Sequence, residues 1–130
     1  MSLNFAHLLI VAAGGAIGAA GRHLVGLATL RLLGPGFPWG TLFVNIAGCF
    51  AMGLLIAAFV RLMPSDGALR LFLATGVLGG FTTFSAFSLD VAVLWERGAP
   101  LAATGYVVAS VAGSILAVFA GLAVMRGAIP

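Results

Sequence analysis

Three breaks rich in glycine and proline divide this 130-residue chain into four long apolar intervals. The breaks are GPGFP at residues 34–38, PSDG at residues 64–67 and ERGAP at residues 96–100. Glycine and proline are the strongest interrupters of helix, which leaves candidate helices at approximately residues 3–33, 39–63, 68–95 and 101–125. A bilayer core needs about 20 residues of helix, and lipid offers the backbone no external hydrogen-bond partners. The sequence therefore predicts four transmembrane helices.

The composition excludes a globular domain in water. Hydrophobic residues make up 62% of the chain and charged residues only 7%, whereas a soluble domain carries about 25% charged residues. We therefore predict an all-α integral membrane protein, in which residues 1–130 form a single four-helix transmembrane domain. The net charge of +3 is scattered without a basic cluster, so the expected partner is the lipid bilayer and no nucleic acid.

The arginines give almost no orientation signal. Four spans place both chain ends on one side of the membrane, where three arginines lie, against two or three on the other side. The first group is Arg61, Arg70 and Arg126, and the second is Arg31, Arg97 and, unless it lies too deep in the first span, Arg22. The positive-inside rule cannot separate such counts. Either another feature sets the orientation, or the chain inserts both ways and pairs head to tail.

Small residues run through all four intervals and predict close helix packing. Gly14 and Gly18 form one GxxxG pair, and Gly76 and Gly80 form another. In lipid, helices associate by close packing, which small residues allow. Because four helices with short loops have little room for a polar pathway of their own, we expect an oligomer.

Neutral polar residues interrupt the apolar spans. Asn45 lies near the middle of the second span, and Tyr106, Ser110 and Ser114 recur every four residues in the fourth. An amide in lipid must find partners or bear a desolvation cost of about 1–3 kcal/mol. Interhelical hydrogen bonding and the lining of a polar pathway are both open interpretations. No carboxylate lies at mid-span, as a proton-coupled exporter of cations would need, and no metal-ligand or catalytic cluster indicates an enzyme.

The segment GGFTTFSAFS, residues 79–88, combines two glycines, four hydroxyls and three phenylalanines in the third span. The glycines weaken the helix, and the hydroxyls of Thr82, Thr83 and Ser85 can bond the backbone groups that a break would free. Carbonyl oxygens exposed at such a break can coordinate Na⁺. The positive edges of Phe84 and Phe87 can contact an anion. An ordinary packing face with locally bonded hydroxyls is the alternative.

Three motifs together resemble the Fluc or CrcB family of small bacterial fluoride channels. The third-span segment GVLGGFTTFSAFSLD is similar to the family signature, GTLFVNIAGCFAMG resembles its second-helix motif, and GGAIGAAGR resembles its first-helix motif. The resemblance covers essentially the full chain. It implies a dual-topology, antiparallel homodimer with two pores and a third helix broken at mid-span.

The resemblance also implies roles for individual residues. A structural Na⁺ at the dimer centre would be held by the backbone carbonyls of Gly79 and Thr82. The fluoride pathway would comprise Asn45, Thr83, Phe84, Ser85, Phe87, Tyr106, Ser110 and Ser114, with Arg22 near the pore entrance. Asp90 stands where a glutamate is expected, and this shorter acid reaches less far.

The function implied by the resemblance is passive, selective efflux of fluoride across the cell inner membrane by a multi-pass channel. Fluoride is small and strongly hydrated, so a pathway must replace its water with donors yet bind weakly enough for release. The alternative hypotheses are a small proton-coupled drug or metabolite exporter and a membrane assembly subunit that transports nothing.

Overall fold

The computed structural model describes residues 2–65 and 67–130, and within them four helical spans are long and apolar enough to cross a membrane. They are Phe5–Leu33, Trp39–Leu62, Gly67–Glu96 and Pro100–Ala128. The prediction of an all-helical chain with four membrane-spanning segments and an interrupted third helix is confirmed. Asp66 of the predicted PSDG break lies outside the described residues, as does Met1.

The predicted breaks coincide with helix ends that local chemistry explains. The Asn4 side chain caps the first helix, accepting from the Ala6 N–H at 3.0 Å. That helix ends at Gly34, whose φ of +77° is open to glycine at little cost. Gly98, after the third span, has the same φ of +77°. Pro100 then occupies the start of the fourth helix, where its missing N–H is not needed.

Glycines bring helices into backbone contact at two seams. The first helix packs against the N-terminal half of the third span, where a Cβ atom added at Gly14 would lie 2.9 Å from the Gly76 Cα. The second helix packs along the fourth, where a Cβ at Gly53 would lie 3.1 Å from the Gly121 Cα. Both seams depend on residues without side chains.

The third span is broken within the predicted segment GGFTTFSAFS, immediately after the turn that holds its two glycines. Residues Leu71–Leu78 form a π-helix, a form that is frequent at functional sites. Gly79 and Gly80 then remain helical in a short turn, Gly79–Phe81. Thr82 and Thr83 are extended, with ψ of 157° and 128°. The glycines were predicted to weaken the helix, but Gly80 instead allows approach to the first helix, since its Cβ would meet the Gly15 carbonyl oxygen at 2.5 Å.

The C-terminal half of the third span, Phe84–Glu96, packs against the fourth helix. A buried cluster joins the two, formed by Phe87, Leu94, Ala103 and Tyr106. This cluster fixes the rotation of the C-terminal half, and it thereby determines which side chains next to the break face the remaining helices.

Candidate functional site

The Asn45 carboxamide holds the break in place through two hydrogen bonds to a single residue. Its Nδ2–H donates to the Thr83 carbonyl oxygen at 2.9 Å, and its Oδ1 accepts from the Thr83 N–H at 2.7 Å. The Thr83 N–H is a backbone donor that the break leaves without a helix partner, whereas the Thr83 carbonyl, at the N-cap, also accepts the first bond of the helix that follows. Asn45 therefore replaces the missing partner of this N–H, and its second Nδ2–H is not used in either bond.

Hydroxyl groups terminate and restart the helix on either side of the break. Thr82 Oγ1 donates to the Leu78 carbonyl oxygen at 3.0 Å, one turn back. Thr83 Oγ1 accepts from the Ala86 N–H at 3.1 Å, which makes Thr83 the N-cap of the following helix. Ser85 Oγ lies 3.3 Å from Thr83 Oγ1. The break is thus built from side chains of its own segment as well as from Asn45.

A groove of about 480 Å³ lies beside the break and brings together most of the predicted pathway residues. Six of these line it, namely Asn45, Thr83, Phe84, Phe87, Ser110 and Ser114. The two predicted cation ligands, Gly79 and Thr82, line the same groove. Cys49, which sequence reasoning did not select, adds a thiol one turn after Asn45.

Ser110 carries an unused hydrogen-bonding group on this groove. The residue is only 5% exposed, and its Oγ finds no partner among the described residues. Most serine hydroxyls in apolar helices bond to their own backbone, as Ser88 does with the Phe84 carbonyl oxygen at 2.9 Å. A buried hydroxyl without a partner costs free energy, so this position favours a bound species that accepts a hydrogen bond from it.

Aromatic rings form a continuous line away from the groove. The centroids of Phe84 and Phe87 are 5.4 Å apart, those of Phe87 and Tyr106 are 5.2 Å apart, and those of Tyr106 and Phe37 are 5.4 Å apart. Phe84 is 75% exposed, whereas Phe87 is 7% exposed. Sequence reasoning did not select Phe37, which lies in the GPGFP break and carries no periodic signal.

Tyr106 does not line the groove with the two serines of its stripe. It is buried, and its hydroxyl donates to Asp90 Oδ2 at 2.9 Å. Asp90 in turn lines a second cavity of about 290 Å³, together with Phe37, Thr41 and Arg97. Although aspartate is shorter than the glutamate expected here, it reaches Tyr106, which lies between the two cavities.

Two other predicted pathway residues lie off the groove. Ser85 is exposed beside the break, and its described contact is with Thr83. Arg22, which was expected near a pore entrance, is absent from the groove lining, and its Nε–H donates to the Gly80 carbonyl oxygen at 3.1 Å, at the end of the helical turn before the break.

These features define a class, that of multi-pass membrane proteins with a neutral, donor-lined groove at a broken helix. The model of the family described as "CrcB-like protein, Camphor Resistance (CrcB)" matches residues 9–122, and the chain belongs to this family. The predicted family is confirmed.

Curated relatives carry the name "Fluoride-specific ion channel FluC". The protein from Chelativorans sp. (strain BNC1) is 65% identical over 120 residues, which cover 92% of this chain and 96% of that protein. The proteins from Mesorhizobium japonicum and Rhizobium meliloti are 59% and 56% identical, with the same shares of each chain covered. The relatives are named as channels, which confirms the prediction that this chain is not an enzyme.

Proposed function

We propose that this protein is a fluoride-selective channel that mediates passive efflux of the ion. Relatives that match nearly the whole chain bear the name of such a channel. The observation that carries the proposal is the groove at the break, where the buried Ser110 hydroxyl has no partner in the described chain and lies with Asn45 and two phenylalanines.

The chemistry of the groove suits a small anion that must bind and leave. Ser110 and the second Asn45 N–H offer donors, and the edges of Phe84 and Phe87 offer weak positive potential. The residues that line the groove include neither arginine nor lysine, whose fixed charge would hold the ion too tightly for conduction. A proton-coupled exporter needs a carboxylate in its pathway, and Asp90 is instead bonded to Tyr106 beyond the groove.

The proposed working unit is an antiparallel homodimer with two pores in the cell inner membrane. The groove is open along the surface of one chain, and the exposed ring of Phe84 stands at its edge. A second copy of the chain would enclose it. The near-even arginine count supports insertion in both orientations.

A structural Na⁺ at the dimer interface is part of the proposal, and the break has the oxygen atoms to hold it. In the described chain no donor bonds to the carbonyl oxygens of Gly79 or Thr82, although neighbouring carbonyls at Leu78, Gly80 and Thr83 each have a partner. Backbone carbonyls at broken membrane helices coordinate Na⁺. Both residues line the groove, where a second chain would bring its own pair.

Reconstituted vesicles test the proposal. Vesicles loaded with potassium fluoride should release it when valinomycin is added, because the ionophore carries the balancing charge, and chloride should stay trapped in matched vesicles. Equal release of chloride would overturn selectivity. Release that requires a pH gradient would favour an exporter, and no release would favour the assembly subunit.

Ser110→Ala connects this activity to the groove. Loss of a donor worth about 1 kcal/mol should slow fluoride release about fivefold, while thermal stability stays unchanged because no protein partner is lost. Ser88→Ala is the matched control, since its hydroxyl bonds its own helix and lies outside the groove. Equal rates in the two variants would remove Ser110 from the pathway.

A further inference from the structure

Arg22 is a cationic side chain near the middle of the first helix, at the level of the break in the third span. Its Nε–H donates to the Gly80 carbonyl oxygen at 3.1 Å. In an unbroken helix that carbonyl would accept from the Phe84 N–H, but Phe84 begins the next helical segment after two extended residues. Arg22 therefore satisfies a carbonyl that the break itself leaves unpaired.

The approach of the first helix makes this contact possible. Gly14, Gly18 and Arg22 are spaced four residues apart and share one helix face. A Cβ at Gly18 would lie 2.8 Å from the Phe81 backbone nitrogen and collide with the Val77 carbonyl oxygen. The two glycines thus allow the backbones of the first helix and the third span to come into contact. Arg22, four residues further along the same face, reaches the last helical turn before the break.

The charge of Arg22 adds an electrostatic effect to the hydrogen bond. The C-terminal end of a helical segment carries partial negative charge, so a cation beside it is stabilising. An ionisable residue at mid-span is expensive in a bilayer and is by default functional. Arg22 is absent from the groove lining, so it does not contact an ion there, and its hydrogen bond to the backbone is its structural link to the groove.

We propose that Arg22 is a positioning residue that fixes the carbonyl end of the N-terminal half of the third span. By holding Gly80 it sets where Thr82 and Thr83 leave the helix, and it thereby sets the shape of the groove. The transport consequence rests on the proposed function, whereas the effect on groove shape does not.

Vesicles that hold at most one channel each distinguish a positioning role of Arg22 from an effect on protein stability. At low protein density, the fraction of vesicles that empty counts active channels, and the rate constant of emptying reports each channel's conductance. Arg22→Gln removes the charge and shortens the donor, so it should lower the rate constant about tenfold, as loss of a charge-assisted hydrogen bond predicts. Arg22→Lys keeps the charge without the guanidinium geometry and should fall between Arg22→Gln and the wild type.

The chain's single cysteine provides a readout that needs no fluoride transport. Cys49 lines the groove with Thr82 and Thr83, so a shift of the break should change its alkylation rate by N-ethylmaleimide in detergent. Arg31→Gln is the matched control, because it removes one charge from the exposed end of the same helix. That variant should keep both the wild-type alkylation rate and the wild-type emptying rate constant.

The outcomes are distinguishable. The proposal would be overturned if Arg22→Gln kept the wild-type alkylation rate and emptying rate constant and only lowered the fraction of active vesicles. It would also be overturned if Arg22→Gln and Arg22→Lys changed these two rates equally. If Arg22→Gln is not recovered folded, Arg22→Lys decides: changed alkylation supports positioning and wild-type values overturn it. If wild-type vesicles release no fluoride, the proposed function fails, while the alkylation rates still test Arg22.

Discussion

The two halves of the third span have opposite surroundings. The N-terminal half meets the first helix backbone to backbone through glycines, and Arg22 fixes its end. The C-terminal half meets the fourth helix through aromatic and aliphatic side chains and presents others to the groove. The difference teaches that the N-terminal half is a fixed support, because its glycine contacts contain no side chain that could adjust. The C-terminal half carries the side chains that face the groove.

The largest effect should come from closing the glycine seam of the supporting half. In Gly18→Ala the new Cβ would collide with the Val77 carbonyl oxygen, and backbone cannot yield as a flexible side chain does. We expect a loss of about 1–3 kcal/mol in stability, seen as a lower melting temperature in detergent and less folded protein.

Gly15→Ala is the matched control for the seam. It lies on the same helix, and a Cβ there would meet nothing within 4 Å. It should leave the melting temperature unchanged or raise it slightly, because alanine favours helix over glycine. Equal destabilisation by the two substitutions would mean that the seam does not depend on close approach.

The next effect concerns the joint between the halves. Asn45→Asp replaces the donor to the Thr83 carbonyl oxygen with a carboxylate oxygen, so one of two hydrogen bonds becomes a repulsive contact. Fluoride release should fall about tenfold, since the partly buried Thr83 carbonyl oxygen would lose a donor and face a charged oxygen instead, a change of about 1–3 kcal/mol. Fluoride-electrode recordings from vesicles measure this. Thr104→Val, which changes an exposed hydroxyl bonded to its own helix, should release fluoride at the wild-type rate; similar slowing by both would contradict a special role for Asn45.

A smaller but more discriminating effect divides the two phenylalanines of the groove-facing half. Phe87→Leu removes a buried ring that contacts Tyr106 and should lower both stability and fluoride release. Phe84→Ile changes an exposed ring, so it should reduce release while the melting temperature of the protomer stays nearly constant. Thermal unfolding and efflux measured on the same preparations compare them. Parallel losses in both assays for both variants would show that Phe84 serves packing alone.

Sequence reasoning located the spans and their ends because those depend on local chemistry. Long apolar intervals and the Gly/Pro breaks determine them, as the caps at Asn4, Gly34 and Pro100 illustrate. The break lies inside the predicted segment, at Thr82 and Thr83, while the two glycines before it stay helical. The low helix propensity of glycine is a local signal. The observed break is instead held by hydrogen bonds from Asn45, which lies far from Thr83 in the chain.

The groove brings together most of the predicted pathway residues, and the positions of the others have geometric reasons. A helix has 3.6 residues per turn, so each four-residue step rotates a side chain by about 40°. The stripe of Tyr106, Ser110 and Ser114 therefore drifts around the fourth helix, and Tyr106 turns away from the groove toward Asp90. Phe37 joins the aromatic line only through tertiary contact, for which its loop sequence holds no signal.

The central claim is that the neutral groove at the broken helix conducts fluoride and rejects larger halides. Planar-bilayer recording with potassium fluoride on one side and potassium chloride on the other measures this most directly, through the reversal potential of the current. We predict a reversal potential displaced strongly in the direction set by the fluoride gradient, with a far smaller displacement from chloride. A reversal potential close to zero, with comparable currents carried by the two anions, would contradict the account.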